Sequence, residues 1–336
     1  MATLSDVAQA AGVSSTAVSR YLNNRIALPL ATRQRIDAAI ARLNYRPNLM
    51  AKRLSTGRTE AICLVTPEIA NPFFSGLAAA IEAEAKRHGY AVYMSATQGD
   101  QSREIEAIQR LQDQHVDGLI MMTNQPDDGT LAELLMHQKN VVLLDEDIPG
   151  VSMPRVFVEN EQGAYLATRH LIDAGHRDIA VVGGPPELMS GKERLAGFRR
   201  AMQEGGLAVH PDWMLLGDYS REHGVAAARQ LLGGTHRPSA ILAGSDYIAV
   251  GILQGAQHAG LRVPTDLSLV GFDDMPFADM VDPPLTTVRQ PIAEMGRIAF
   301  EQLLALINGT ATTALTRLPV QLVIRQSVRN LGELPS

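Results

Sequence analysis

The sequence predicts an α/β protein: a small all-α head joined to a larger two-lobed body of parallel sheets with helices on both faces. Charge is the first observation behind this. From Met1 to Arg58 there are nine Lys/Arg against two Asp/Glu, whereas the remainder has 21 against 34, so a basic head meets an acidic body. The second is a pair of short apolar-periodic segments around Gly12. The third is the regular alternation, from Ala61 onward, of apolar strand-like runs with helical stretches. A chain of 336 residues with ordinary hydrophobicity buries a sizeable core and divides into two or three domains.

In the head, Leu4, Val7, Ala8 and Ala11 recur at helical spacing, and Thr3 or Ser5 is placed to cap them. Gly12 ends that helix. Ser14 then caps a second helix, whose inner side is Ala17, Val18, Tyr21 and Leu22 and whose outer side is Thr16, Ser19, Arg20 and Asn23. Short hydroxyls and an amide allow close approach to a duplex, and an arginine reaches the two acceptors of a guanine. A third helix runs from about Pro29 to Leu43, with Ile36, Ala39, Ile40 and Leu43 apolar. Three such helices with a tight turn between the first two make a helix-turn-helix.

"TLSDVAQAAGVSSTAVSRYLNN" and "ATRQRIDAAIARLNYRPNLMAKRLSTGRT" closely resemble the head of a LacI/GalR-family transcription regulator. The resemblance implies that the second helix enters the major groove, with Ser15, Thr16 and Arg20 reading bases and Thr3, Ser14 and Asn23 touching phosphates. Ala17 and Leu30 depart from the pattern, which usually has Thr and a polar cap there. After Pro47 the stretch "NLMAKRLSTGR" spans about three helical turns, marginal alone in water. The resemblance makes it a hinge that folds over DNA, with Ala51 and Leu54 in contact and Leu54 wedged into a minor-groove step. The residues alone equally allow a plain tether with Leu54 packed on the body.

In the body the runs "AICLVT", "YAVYMSA", "VDGLIMM", "NVVLLDED", "RVFVEN", "DIAVVGG", "SAILAG" and "LSLVGFDD" read as strands of parallel sheets. Helix ends at "RHGY", "DAGHRD" and "HAGLRVP" each place a Gly before the next strand. About 270 residues exceed one comfortable core, so two lobes are expected. Ligands of open α/β sheets sit beyond strand carboxyl ends, where Asn71, Asp145 to Asp147, Asp246 and Asp273 cluster. The single cysteine, Cys63, forbids an intrachain disulfide and reads as a buried strand residue.

The body is similar to the periplasmic-binding-protein-like sugar sensor of the same family, through "NPFF", "SGKERLAGF", "AGSDYIAVG", "VGFDD", "PPLTTVRQP" and "VIRQS". The implied boundaries are 1–47 for the head, 48–60 for the hinge, 61–160 plus 291–320 for one lobe, and 161–290 plus 321–330 for the other. The resemblance carries Asn71, Phe73, Phe74, Asp145, Ser190, Arg194, Tyr219, Asp246, Asp273 and Gln290 into an effector pocket. Carboxylates, amides and a guanidinium suit sugar hydroxyls, and aromatic faces suit the ring. Phe73 and Phe74 equally read as core, Arg194 as a partner of Glu193 or Asp273, and Asp246 as a helix cap. The family often has an aromatic residue or Arg just after the aspartate of the fourth strand. Here "LLDEDIPG" puts Glu146 and Asp147 there, an acidic wall that repels phosphorylated sugars and offers no stacking plane to a purine.

The function expected is a repressor of sugar or polyol genes that binds palindromic operator DNA as a homodimer and answers to a neutral sugar or polyol. Only "VRNLGELPS" follows "VIRQS", too short for a heptad tail. A sugar receptor without a DNA role is the alternative, and the basic head and lack of a signal peptide speak against it. No membrane span is read, and the chain is expected to be cytoplasmic. An enzyme is not expected. In "GGPPELMSGKE" a phosphate loop fails because Pro186 stands where Gly is needed and Glu193 where Ser/Thr is needed. There is no GxSxG elbow and no His pair at metal-ligand spacing, so neither metal nor cofactor is expected.

Overall fold

A computed structural model describes residues 2–22, 26–45 and 57–332. The chain forms two compact units, Met1–Thr59 and Glu60–Ser336.

The head unit has helices α1 (Leu4–Ala11), α2 (Ser15–Leu22) and α3 (Leu30–Leu43). Thr3, not Ser5, caps α1: its hydroxyl accepts from the Asp6 N–H while the Asp6 carboxylate accepts from the Thr3 N–H, a reciprocal capping box. Gly12 closes α1 at φ +63°, a left-handed conformation that a side chain would strain. The Ser14 hydroxyl, two residues past Gly12, then accepts from the Ala17 N–H and caps α2, which starts at Ser15. Val7, Ala8, Ala11, Val18, Ile36 and Ala39 are buried together, with Tyr21, Leu22, Ile40 and Leu43 packed around them. The apolar spacing read from sequence is therefore the core of the head. Leu30, at the start of α3, is exposed.

The body holds two six-stranded sheets. The first has the order β11–β5–β4–β3–β1–β2, with β1 (Ala61–Thr66), β2 (Ala91–Ala96), β3 (Gly118–Met121), β4 (Val141–Leu144), β5 (Arg155–Val158) and β11 (Leu315–Leu318). All its pairings are parallel. The second has the order β12–β10–β9–β8–β6–β7, with β6 (Ile179–Gly183), β7 (Met214–Leu216), β8 (Ala240–Ala243), β9 (Ser268–Asp273), β10 (Thr286–Arg289) and β12 (Gln321–Val323). Only β12 runs antiparallel to its neighbour. Among the described residues the chain crosses between sheets three times, after β5, β10 and β11.

Connecting helices are α4 (Pro72–Arg87), α5 (Gln101–Gln112), α6 (Thr130–Met136), α7 (Asn160–Asp173), α8 (Met189–Glu204), α9 (Arg221–Leu232), α10 (Asp246–His258) and α11 (Ile292–Ile307). They cover both faces of each sheet. Along β1, Ile62 and Leu64 enter one core cluster while Cys63 and Val65 enter another. Along β6, Ala180 and Val182 face one cluster while Ile179 and Val181 face the other. Burial on both faces is why these strands read as unbroken apolar runs. Cys63 sits within such a core, where burial pushes its thiol up to about 11. The edge strands depart from this double burial: Tyr93 and Met94 of β2 are exposed, and β7, β11 and β12 are only partly buried.

Candidate functional site

A cavity of about 280 Å³ opens where the strands of both sheets end. Its walls come from the residues just past strand carboxyl ends: Glu68 after β1, Asn124 and Gln125 after β3, Asp145 after β4, Asp218 to Ser220 after β7, Ser245 after β8, and Asp273 with Met275 at β9. The N-termini of α4, α8 and α10 add Asn71, Phe73, Phe74, Ser190, Arg194 and Tyr247. This is the crevice where open α/β sheets place ligands, because the turn that leaves each strand frees polar side chains above an apolar floor.

Arg194 organises the polar wall. It is nine-tenths buried and lies flat on Phe272, 3.8 Å from its guanidinium carbon to the ring centroid. Nε donates to Asn160 Oδ1 at 2.8 Å and Nη1 to the Gly244 carbonyl at 2.6 Å, with Asp273 Oδ1 at 3.8 Å. Those bonds leave Nη2 for a ligand. Asp145 (φ +72°) and Asp273 (φ +118°) hold conformations disfavoured for side chains with a Cβ, a strain that recurs at functional strand ends. Burial, then the neighbouring Glu146 charge, pushes the Asp145 carboxyl up to about 8, partly opposed by Arg194. Burial pushes Asp273 up to about 6, against the pull of Arg194 and a bond from Gln290. At neutral pH Asp145 is thus a hydrogen-bond donor as well as an acceptor.

This gives a pH prediction. The unfolded Asp145 ionises near 3.8 while the folded one keeps its proton to about 8, so the folded state binds more protons across that window. Stability held below pH 4 is lost as pH rises to about 8. Asp145→Asn is expected to flatten this slope, read from urea unfolding at pH 4 to 9; an unaltered slope would place the titration elsewhere.

In the head, Ser15, Thr16 and Arg20 are exposed on α2; Thr16 and Arg20, one turn apart, lie on the side opposite buried Val18, and Ser15 stands at the start of the helix beside them. They form a polar stripe of short hydroxyls and one long cation.

The family profile described as "Bacterial regulatory proteins, lacI family" matches residues 3–48, and a periplasmic binding protein-like domain matches residues 168–328. Catabolite control protein A of Priestia megaterium is 34% identical over 97% of this chain and 99% of its own. The chain belongs to the LacI family. Among solved structures of similar proteins, the Lac repressor dimer bound to operator and the anti-inducer ONPF has a TM-score of 0.87 and 32% identity, covering 98% of this chain and 99% of that one. The transcriptional regulator CelR in complex with cellobiose has a TM-score of 0.75 and 31% identity, covering 97% and 100%. This LacI-family chain is thus a DNA-binding transcription regulator with a ligand-sensing body.

Of the expected pocket residues, Asn71, Phe73, Phe74, Asp145, Ser190, Arg194, Tyr219 and Asp273 meet at the cavity. Asn71 also caps α4, its Oδ1 accepting from the Phe73 N–H, and Phe73 lines the cavity while packing in the core. Three expectations are corrected. Asp246 does not face the cavity: its carboxylate is fully buried and accepts from the Met275 N–H at 2.8 Å and the Thr287 hydroxyl at 2.6 Å. Gln290 lies behind the wall, donating to Asp273 Oδ1 at 2.7 Å. Glu146 does not line the cavity but accepts from the start of α8, because the left-handed turn at Asp145, just past β4, sends the two neighbouring carboxyls different ways. Asp147 pairs with Arg155 at 2.8 Å, so the acidic wall read from "DEDIPG" does not form.

Of the DNA-contact residues, Thr3 and Ser14 spend their hydroxyls on helix caps. Asn23, Ala51 and Leu54 lie outside the described residues. Sequence reasoning missed Glu68, Asn124, Gln125, Asp218, Ser220, Ser245, Tyr247 and Met275. Each stands within four residues of a strand's carboxyl end, and that position was the signal that could have found them. Among the described residues no group of three His, Cys, Asp or Glu side chains could hold a metal, and no helix is long and apolar enough to cross a membrane.

Proposed function

We propose that this LacI-family regulator is a cytoplasmic, non-enzymatic homodimeric repressor that binds a palindromic operator and is controlled by a neutral sugar or polyol. The cavity carries this reading. Its described lining has one cation, Arg194, against the carboxyls of Glu68, Asp145, Asp218 and Asp273. Carboxyls and amides bond to hydroxyls, and Phe73, Phe74 and Tyr247 offer apolar faces to a ring. An acidic excess opposes a phosphate ester. The residues supplying it differ from those first read, yet its sign is the same. CelR, bound to cellobiose, supports a sugar class. A head that matches the lacI family speaks against a receptor without a DNA role.

Ligand closure would move two lobes, proposed as 61–160 plus 291–320 and 161–290 plus 321–330. This agrees with the division of strands between the two sheets. A thermal-shift panel of sugars and polyols, each beside its phosphate ester, tests the effector. A ligand at 100 times its dissociation constant adds about 2.7 kcal/mol. Larger shifts from the esters would overturn the neutral reading.

Ser15, Thr16, Arg20 and the hinge residues Ala51 and Leu54 are proposed as DNA contacts, with Thr3, Ser14 and Asn23 near phosphates. Arg20→Ala is expected to cost about 1 to 3 kcal/mol on a selected operator and to relax discrimination at one base pair per half-site. Equal loss on operator and random DNA would make Arg20 a phosphate contact instead.

A further inference from the structure

Helix α8 begins without a cap of its own. Its N-cap residue is Leu188, which makes no side-chain cap bond. The missing acceptor comes from the other sheet. Glu146, two residues past β4, is 2% exposed and accepts from the Met189 N–H at 2.6 Å, the Ser190 N–H at 3.2 Å and the Ser190 hydroxyl at 2.7 Å. Helix α8 follows β6 of the second sheet, whereas β4 belongs to the first. One turn further along α8, Glu193 takes two bonds, at 2.6 and 2.9 Å, from Arg317 on β11, again a strand of the first sheet. The same helix carries Ser190 and Arg194 into the cavity.

A helix N-terminus leaves unpaired N–H groups and a partial positive charge, and a carboxylate satisfies both. When the acceptor sits on another structural half, the cap exists only while the halves are together. We propose that Glu146 is a positioning residue and interlobe latch: it caps α8 across the cleft, holds Ser190 and Arg194 ready for the effector, and favours the closed body before any ligand enters. This rests on the cavity being the effector site. Arg317 with Glu193 is a weaker, more exposed second tie on the same helix.

The test separates a latch from a mere cap. Exposed Glu106 and Gln230 are replaced by Cys and spin-labelled, buried Cys63 staying unreacted, and the labelled chain is diluted into unlabelled protein. Distances are measured without any ligand. Glu146→Ala is expected to shift the closed-to-open ratio by about ten- to hundredfold, the loss of one charge-assisted bond, and Glu146→Gln by less. Leu188→Thr, added to Glu146→Ala, supplies a local cap. It should restore hydrogen-exchange protection at Ser190 or Gly191, the N–H groups within reach of an N-cap hydroxyl, while distances stay long. Unchanged distances in Glu146→Ala, or their recovery with Leu188→Thr, would overturn the latch. An empty effector panel would instead count against the cavity's assignment and leave these distances to decide the latch alone.

Discussion

Asp246→Ala is expected to destabilise the protein by about 2 to 6 kcal/mol, through buried donors left unpaired rather than through a lost ligand contact. The carboxylate at the start of α10 satisfies two buried donors, the Met275 N–H and the Thr287 hydroxyl. Each orphaned group costs about 1 to 3 kcal/mol. The neighbouring strand is built around it. A Cβ at Gly271 of β9 would lie 2.2 Å from Asp246 Oδ1, so only glycine admits the carboxylate there. Burial and the nearby Asp273 push Asp246 well above the usual carboxylate range. Its stabilising contribution is therefore greatest below pH 4 and fades as pH rises through its raised folded pKa. Asp246→Asn, which keeps an acceptor oxygen, should lose less. Chemical unfolding decides between roles. Unfolding free energy within about 0.5 kcal/mol of the parent, with ligand binding abolished, would return Asp246 to the binding site.

Asp246 also marks how far sequence carried the reading. Its position past β8, in "AGSDYIAVG", is right for a ligand contact, and Ser245 beside it does line the cavity. Which of two adjacent polar residues faces inward depends on the turn, and nothing local in the sequence fixes that. The same one-residue ambiguity misplaced Glu146 beside Asp145. Helices and doubly buried strands were legible because periodicity and long apolar runs come from burial itself. The head was legible to its caps, since Thr3, Gly12 and Ser14 act on near neighbours. Strands β7, β11 and β12 escaped because all three are short and lie at sheet edges, where partial exposure breaks the apolar run that marks the doubly buried strands. In β10, Thr286 and Thr287 are fully buried by bonds to Arg325, Ser327 and Asp246 that come from distant chain. Such long-range pairing has no local signature.

Arg194→Met is expected to damage stability and effector binding together: similar volume is kept, so the losses come from removing the one cation among the described cavity residues. Three things go at once: bonds to Asn160 Oδ1 and the Gly244 carbonyl, the charge facing Asp273 and Asp145, and the donor left for a ligand. Removing one partner from a buried ionic cluster costs about 3 to 5 kcal/mol. A lost charged hydrogen bond to ligand weakens affinity by about ten- to hundredfold. Arg194→Lys should rescue little, since an ammonium cannot bond to Asn160 and Gly244 while lying flat on Phe272. The electrostatic part has a pH signature. Below about pH 6 both Asp273 and Asp145 keep their protons in the folded parent, so the variant forfeits only bonds and packing. As pH rises through 6 and then 8 the parent ionises each carboxyl beside the guanidinium, whereas the variant must hold the proton or bury a bare charge. The stability gap between parent and Arg194→Met should therefore widen from pH 6 to 9, measured by urea unfolding. A gap constant from pH 5 to 9 would mean that the guanidinium does not govern these carboxyls. Unimpaired effector binding by the variant would remove Arg194 from the site.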